Sequence, residues 1–80
     1  MDDPAILKRI NDLVSEEHTL LGHEGAEGPA PEHRERLTEV QQTLDQCWDL
    51  LRQRRAFKEN GMDPDQAQVR SASTVEGYKQ

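Results

Sequence analysis

The residue of greatest chemical reactivity in this sequence is its one cysteine, Cys47, which Trp48 follows directly. A cysteine acts as a nucleophile when a nearby base or cation stabilises its thiolate. The nearest charged residues are instead two acids, Asp45 and Asp49, which raise the pKa of a neighbouring thiol. Cys47 also falls on an apolar stripe of the chain. The sequence therefore predicts a buried, unreactive thiol.

Asp45 and Asp49 are themselves candidates for acid–base chemistry. They are four residues apart and share one face if the segment is helical. Paired carboxylates act as general acid and base when they face each other across a cleft. A single helix face offers no cleft, and Arg52, three residues beyond Asp49, is expected to pair with it. We therefore interpret the pair as a solvated face, predict no catalytic residue, and expect that the protein is not an enzyme.

Glu17 is the residue best placed to bind a metal ion, because it continues an apolar seam. Di-iron helical bundles, however, need a Glu-x-x-His pattern on each of two helices. This spacing is absent from the sequence, in which His18, His23 and His33 stand alone. We predict no metal and no cofactor, and expect Glu17 to pair across the helices or to extend toward solvent.

The apolar residues that surround Cys47 predict the longest helix of the protein. They recur at alternating spacings of three and four residues, which is the pattern of a helix that packs lengthwise on another helix. The seam consists of Leu37, Val40, Leu44, Cys47 and Leu51, and Trp48 and Leu50 widen it. This second helix is predicted from about residue 31 to about residue 60, where Gly61 can end it.

A first helix is predicted from about residue 4 to about residue 21. Asp3 is expected to cap it, and Pro4 suits its first position. Three glycines and two prolines in residues 22–31 then form a loop in which the chain can reverse. The two helices are therefore expected to form an antiparallel hairpin. The longer second helix should have no cover from the first beyond about Leu51.

Residues 61–80 are predicted to be a C-terminal extension with a short helical turn at about 64–69. Its apolar residues, Val69, Val75 and Tyr78, can dock on the uncovered end of the second helix. The alternative is a frayed terminus. The sequence leaves both possibilities open.

Composition limits what a single copy can bury. Leu, Ile, Val and Phe account for 15 of the 80 residues, and the net charge is −6. So small and polar a chain cannot build a large core by itself. We therefore expect two hairpins to associate as a coiled-coil-like homodimer of four helices, in which the second copy covers Trp48, Leu50 and Phe57. A single cysteine and the absence of a membrane-length apolar run predict a cytoplasmic protein.

The one basic segment is the end of the second helix, because residues 52–60 hold four basic residues and one acid. The segment can complement the negative end of the helix dipole and pair with acids of a second subunit. Alternatively, it can contact phosphate groups. The acidic balance of the whole chain argues against nucleic acid as a partner.

Four segments of the chain resemble a family of small actinobacterial helical proteins classed as a domain of unknown function. They are INDLVSEEH at 10–18, LDQCWDLLRQRRA at 44–56, MDPDQAQVR at 62–70 and VEGY at 75–78. The resemblance implies no activity, but it implies that the tail belongs to the domain. Ala30 departs from the serine or threonine cap expected before Pro31, so the first turn of the second helix is expected to fray.

These observations predict an uncharacterised, all-α, non-enzymatic protein-interaction module or homodimer. The alternative is a protein associated with nucleic acid or nucleoprotein through the basic end of the second helix. No membrane partner is expected, and the identity of any protein partner is unknown. The candidate interaction residues are Trp48, Leu50, Leu51, Phe57, Arg52, Arg54, Arg55, Lys58 and Tyr78.

Overall fold

A computed structural model describes residues 2–22 and 31–77, and the ordered elements in these two ranges are all helical. Helix α1 spans Asp3–Gly22 and helix α2 spans Pro31–Glu59. A single 3₁₀ turn follows at Pro64–Gln66, and a short helix α3 spans Ala72–Gly77. The all-α class predicted from the sequence is confirmed. None of the described helices is long and apolar enough to cross a membrane.

The core lies between α1 and α2, which pack side by side in opposite directions. Their buried residues repeat at the three-and-four spacing that places apolar side chains on one face of a helix. The continuous core cluster is formed by Ile6, Ile10 and Leu13 of α1 with Val40, Leu44 and Leu50 of α2. Ile6 and Val40 have no exposed surface at all. Cys47 and Leu51 pack against this cluster from its edge.

The first turn of α1 is capped by Asp2 and not by Asp3, which corrects the expected cap. The backbone N–H of Ala5 donates to Oδ1 of Asp2 at 3.0 Å, which satisfies one of the unpaired N–H groups of the helix end. Because Asp2 and Asp3 both precede Pro4, the sequence does not distinguish which of the two caps the helix. With Asp2 as the cap, the carboxylate of Asp3 can contact another element.

Asp3 contacts the end of α2, so the first turn of α1 covers part of α2 beyond Leu51. Its carboxylate accepts hydrogen bonds from Arg54 at 2.5 Å and from Lys58 at 2.8 Å. The expectation that α2 has no cover beyond Leu51 is therefore wrong. Long arginine and lysine side chains reach back to the first turn of α1. At the opposite end of the hairpin, Arg36 donates to Glu16 at 2.5 and 2.8 Å.

After α2 the chain reverses at Gly61, where φ is 72°. This left-handed conformation suits glycine because it has no Cβ. The N–H of Met62 donates to the carbonyl of Phe57 at 2.7 Å and closes the turn. In the 3₁₀ turn that follows, Asp63 accepts from the N–H of Asp65 at 2.9 Å.

The tail runs back along α2 and is held by polar side chains of that helix. Gln53 donates to the carbonyl of Gln68 at 2.8 Å, and Gln46 donates to the carbonyl of Arg70 at 3.0 Å. Side chains of α2 thus satisfy backbone carbonyls that no helix or sheet would pair. The described part of the tail ends in α3, which also packs on α2.

Candidate interaction surface

Two of the residues predicted to face a partner are buried inside the chain. Leu50 is 5% exposed and belongs to the core cluster, and Arg54 is also 5% exposed. Leu50 therefore needs no second copy to cover it, contrary to the expectation from the sequence. The tail passes over this side of α2, where Val69 and Leu50 line the same small cavity.

Arg54 holds three parts of the chain together. Its guanidinium donates to Asp3 of α1, to Asp65 at 3.0 Å and to the carbonyl of Pro64 at 3.2 Å. The hydrogen bond with Asp3 raises the pKa of Arg54 further above its ordinary value. Hydrogen bonds from Lys58 and Arg54 lower the pKa of Asp3 below its ordinary value. Arg54 and Lys58 thus have acidic partners within the chain.

Asp49 is a second buried charge, 2% exposed, and it anchors the tail. Arg70 donates to it at 2.6 and 2.9 Å, and Gln53 donates at 2.9 Å. The hydrogen bonds from Arg70 lower the pKa of Asp49 despite the opposing effect of burial. Sequence spacing suggested Arg52 as the partner of Asp49. The residue that pairs with it lies 21 positions away in the tail, where no local pattern indicates it.

The structure shows where the residues considered for chemistry lie. Burial raises the pKa of the half-buried Cys47 thiol, although the positive charge of Arg9 opposes this effect. The predicted direction is confirmed, but burial and not the flanking acids is its main cause. Glu17 accepts a hydrogen bond from Gln41 at 3.3 Å, so it pairs across the helices. Within residues 2–22 and 31–77, no three histidine, cysteine or acidic side chains are arranged to hold a metal ion.

Trp48 lies at the surface, on one side of the seam between α1 and α2. It is 43% exposed, and Leu7 of α1 is 45% exposed. These two residues line a groove of about 380 Å³ together with Leu51, Arg52, Arg55 and Asp3. We call the surface formed by Leu7, Trp48, Leu51, Arg52 and Arg55 the Trp48 face.

A second groove, of about 610 Å³, meets the first at Trp48 and has the opposite charge. Its three acidic residues come from three different helices: Glu17 from α1, Asp45 from α2 and Glu76 from α3. Thr38, Gln41 and Gln42 add polar groups, and Val14 and Leu44 add apolar ones. We call it the acidic groove. Trp48 therefore stands between a basic surface and an acidic one.

The remaining candidate residues are placed as follows. Phe57 is half-buried near the end of α2. Lys58 is exposed but bonded to Asp3. Tyr78 lies outside the described residues. Of the four cations at the end of α2, Arg52 and Arg55 form no ion pair within residues 2–22 and 31–77, so the basic character of this surface rests on them.

Comparison with known proteins places the chain in a family. Residues 2–80 match the family described as "Protein of unknown function (DUF2630)". The chain belongs to the DUF2630 family. The predicted resemblance to a family of unknown function is thereby confirmed.

Relatives of this DUF2630 protein occur in mycobacteria. The chain is 48% identical over 79 residues to the uncharacterized proteins Mb0922c of Mycobacterium bovis and Rv0898c of Mycobacterium tuberculosis. The matches cover 95% of this chain and 88% of each relative. No solved structure matches the chain significantly. Neither the DUF2630 description nor the relatives' names state an activity.

Proposed function

We propose that this DUF2630 protein is a non-enzymatic protein-interaction module and that its Trp48 face binds a second copy of the chain. The observation that carries the proposal is the exposure of Trp48 beside Leu7 on one face of the hairpin. Tryptophan is costly to leave in water and is enriched at the centres of protein interfaces. An apolar surface with a polar rim is typical of a binding site.

A second copy is the partner that the size of the chain favours. The core of one copy is a single seam between two helices, with Val75 the one buried apolar residue contributed by the described part of the tail. Domains of this size often gain stability by association. Pairing two hairpins through their Trp48 faces would give a four-helix arrangement and would cover Trp48 and Leu7.

The proposal of a non-enzymatic role is supported by the contacts that the polar residues make within the fold. Asp3 and Asp49 are engaged in ion pairs that join parts of the fold. The raised pKa of Cys47 lowers its thiolate fraction at neutral pH. Among the described residues, the buried polar groups thus join the helices of the protein to each other and to its tail. A cytoplasmic location, inferred from the single cysteine, remains part of the proposal.

The alternative, association with nucleic acid through the basic end of α2, has less support than the sequence suggested. Two of the four cations, Arg54 and Lys58, have Asp3 as a partner inside the chain. Arg52 and Arg55 alone would contact phosphate groups, in a protein whose net charge is −6. The alternative stays a prediction, and weak binding to duplex DNA that disappears with salt is the result it requires.

The proposed function is tested by the mass of the protein in solution. We expect light scattering across a concentration series to approach twice 9.2 kDa. A Trp48→Gln variant should shift the midpoint of association to at least about tenfold higher concentration, because an interface tryptophan contributes on the order of 2 kcal/mol. Val69→Gln is the matched control, since Val69 is 62% exposed in the tail and lies outside the Trp48 face.

Circular dichroism of both variants should match that of the unaltered protein, because neither position is buried. A folded protein that stays monomeric at all concentrations would contradict self-association. Equal weakening by Trp48→Gln and Val69→Gln would show that association does not depend on the Trp48 face.

A further inference from the structure

Basic residues lie on one side of Trp48 along α2, and acidic or acid-bonded residues lie on the other side. Arg52 follows Trp48 by four positions, and Asp45 precedes it by three, which places them about 6 Å and 4.5 Å away along the helix axis. Arg55 and Gln41 are each seven positions, or about 10.5 Å, from Trp48. Gln41 in turn holds the carboxylate of Glu17 at 3.3 Å. Arg52 therefore has an acid, Asp45, at a comparable distance on the other side of Trp48, and Arg55 has Gln41, which is bonded to Glu17.

We infer that two copies pack antiparallel about a two-fold axis at Trp48, with Arg52 and Arg55 of each copy against Asp45 and Glu17 of the other. The inference rests on the proposed function and names the geometry of its partner. The two-fold axis lies in the interface and runs perpendicular to α2, so it reverses the direction of α2 in the second copy. Each edge of α2 then faces the same edge of α2 in the second copy. Arg52 of one copy then faces Asp45 of the second copy, and Arg55 faces the Gln41–Glu17 pair.

Charge selects this arrangement over the parallel one. In an isologous dimer the same surface patch is used twice, so the patch must complement itself. With parallel helices, each arginine would face its own counterpart and each acid would face an acid. Like charges placed together across an interface are strongly disfavoured. Only the antiparallel arrangement gives opposite charges on both sides of Trp48.

The residues beside these cations are compatible with the arrangement. Arg54 and Lys58 are already bonded to Asp3, so they add no unpaired positive charge next to Arg52 and Arg55. Glu76, which also lines the acidic groove, adds a third acid on the side that would receive the arginines. The two Trp48 rings would meet near the axis.

Ionic strength alone cannot test the inference, because it has two opposing effects. Salt weakens the attraction between Arg52 or Arg55 and the acidic groove. It also weakens the general repulsion between two copies that each carry a charge of −6. A direct test must exchange the charges themselves.

The test uses two variants whose altered charges complement each other. The first is Arg52→Glu/Arg55→Glu and the second is Glu17→Lys/Asp45→Lys. Each variant alone would place like charges on both sides of Trp48, and we expect its homodimer to dissociate at a concentration at least about tenfold higher. Mixed together, the two variants regain opposite charges at all four contacts. We expect a heterodimer at least as stable as the original homodimer, detected by native mass spectrometry with one variant labelled with ¹⁵N.

The control is Lys8→Glu/Arg9→Glu, which makes the same change in net charge away from the Trp48 face. Lys8 is on an exposed face of α1, and Arg9 lines a cavity with Cys47 and Val69 on the other side of the hairpin. This variant should dimerise like the unaltered protein and show no preference for Glu17→Lys/Asp45→Lys. Circular dichroism checks that each variant is folded. If Glu17→Lys prevents folding, the pair Arg52→Glu and Asp45→Lys provides the same comparison.

The possible failures separate the two proposals. If the unaltered protein dimerises through Trp48 but the variants neither weaken the homodimer nor prefer each other, the antiparallel geometry is overturned and the proposed function stands. If the unaltered protein is monomeric, both are overturned.

Discussion

At the scale of single residues, the fold depends on two buried charges of α2. Arg54 joins α1, α2 and the turn after α2, and Asp49 joins α2 to Arg70 of the tail. A charge removed from water is tolerated when its partners satisfy it, and becomes costly when one partner is lost. Both residues therefore make the position of the tail specific in a way that a purely apolar contact would not.

Replacing Arg54 by methionine should lower the melting temperature by at least about 5 °C. The substitution keeps a long side chain but leaves Asp3, Asp65 and the carbonyl of Pro64 without this donor. The measurement is thermal unfolding followed by circular dichroism at neutral pH.

Lys8→Met is the matched control, since it also removes a cation from an ion pair. The Lys8–Asp12 pair is exposed, with 78% and 61% of its two side chains accessible, and exposed pairs contribute little to stability. Its melting temperature should change by no more than about 2 °C. Equal effects of Lys8→Met and Arg54→Met would mean that burial of Arg54 adds nothing.

At the scale of elements, α2 is the scaffold, because α1, the 3₁₀ turn and α3 all pack on it. Hydrogen bonds and ion pairs hold the described tail, and Val75 is the buried apolar residue of α3. The short α3 begins after Ser71, whose hydroxyl accepts from the N–H of Thr74 at 3.2 Å. Six residues form a stable helix only when tertiary contacts hold them.

Val75→Ala should therefore destabilise the protein by about 2 kcal/mol, as expected for two buried methyl groups and the space they leave. Val69→Ala deletes the same atoms from a side chain that is 62% exposed, and it should cost less than about 0.5 kcal/mol. Urea unfolding at neutral pH measures both. A tail that does not pack on α2 in solution would give the same small value for the two variants.

At the scale of the whole molecule, carboxylates held in ion pairs make the stability of the fold depend on pH. Three carboxylates in ion pairs have a lowered pKa, namely Asp3, Glu16 and Asp49. A group whose pKa is lower in the folded state stabilises the fold above its unfolded pKa and loses that contribution as pH falls through its folded pKa. The unfolded values are about 3.8 for aspartate and 4.5 for glutamate. The loss should therefore begin below about pH 4.5.

We expect the free energy of unfolding to change little between pH 7 and pH 5 and to fall steeply below pH 4.5. Asp49→Asn should reduce it by about 1–3 kcal/mol at pH 7, because Arg70 loses a charged acceptor. The difference between variant and unaltered protein should shrink as Asp49 becomes protonated in acid. Urea unfolding at pH 7, 5, 4 and 3 measures this, and a constant difference at all four values would contradict the role of the ionised carboxylate.

The sequence alone determined the helical class, most of the buried apolar set and membership of a family of unknown function. Each depends on information that is local in the chain. A repeat at three and four positions selects which side of a helix is apolar, whatever it packs against, and so Leu37, Val40 and Leu44 could be assigned to a core from their spacing.

Only the tertiary structure decided which charged residues pair with each other. It also decided which side of the widened seam is buried and which side is exposed. Trp48 and Leu50 extend the same apolar stripe, yet one is 43% exposed and the other 5%. The tail packs on the side of α2 that carries Leu50, and no periodicity within α2 indicates which side that is. The Arg54–Asp3 pair spans 51 positions. Such contacts depend on the register of α1 and the path of the tail, which arise from the packing of the whole chain.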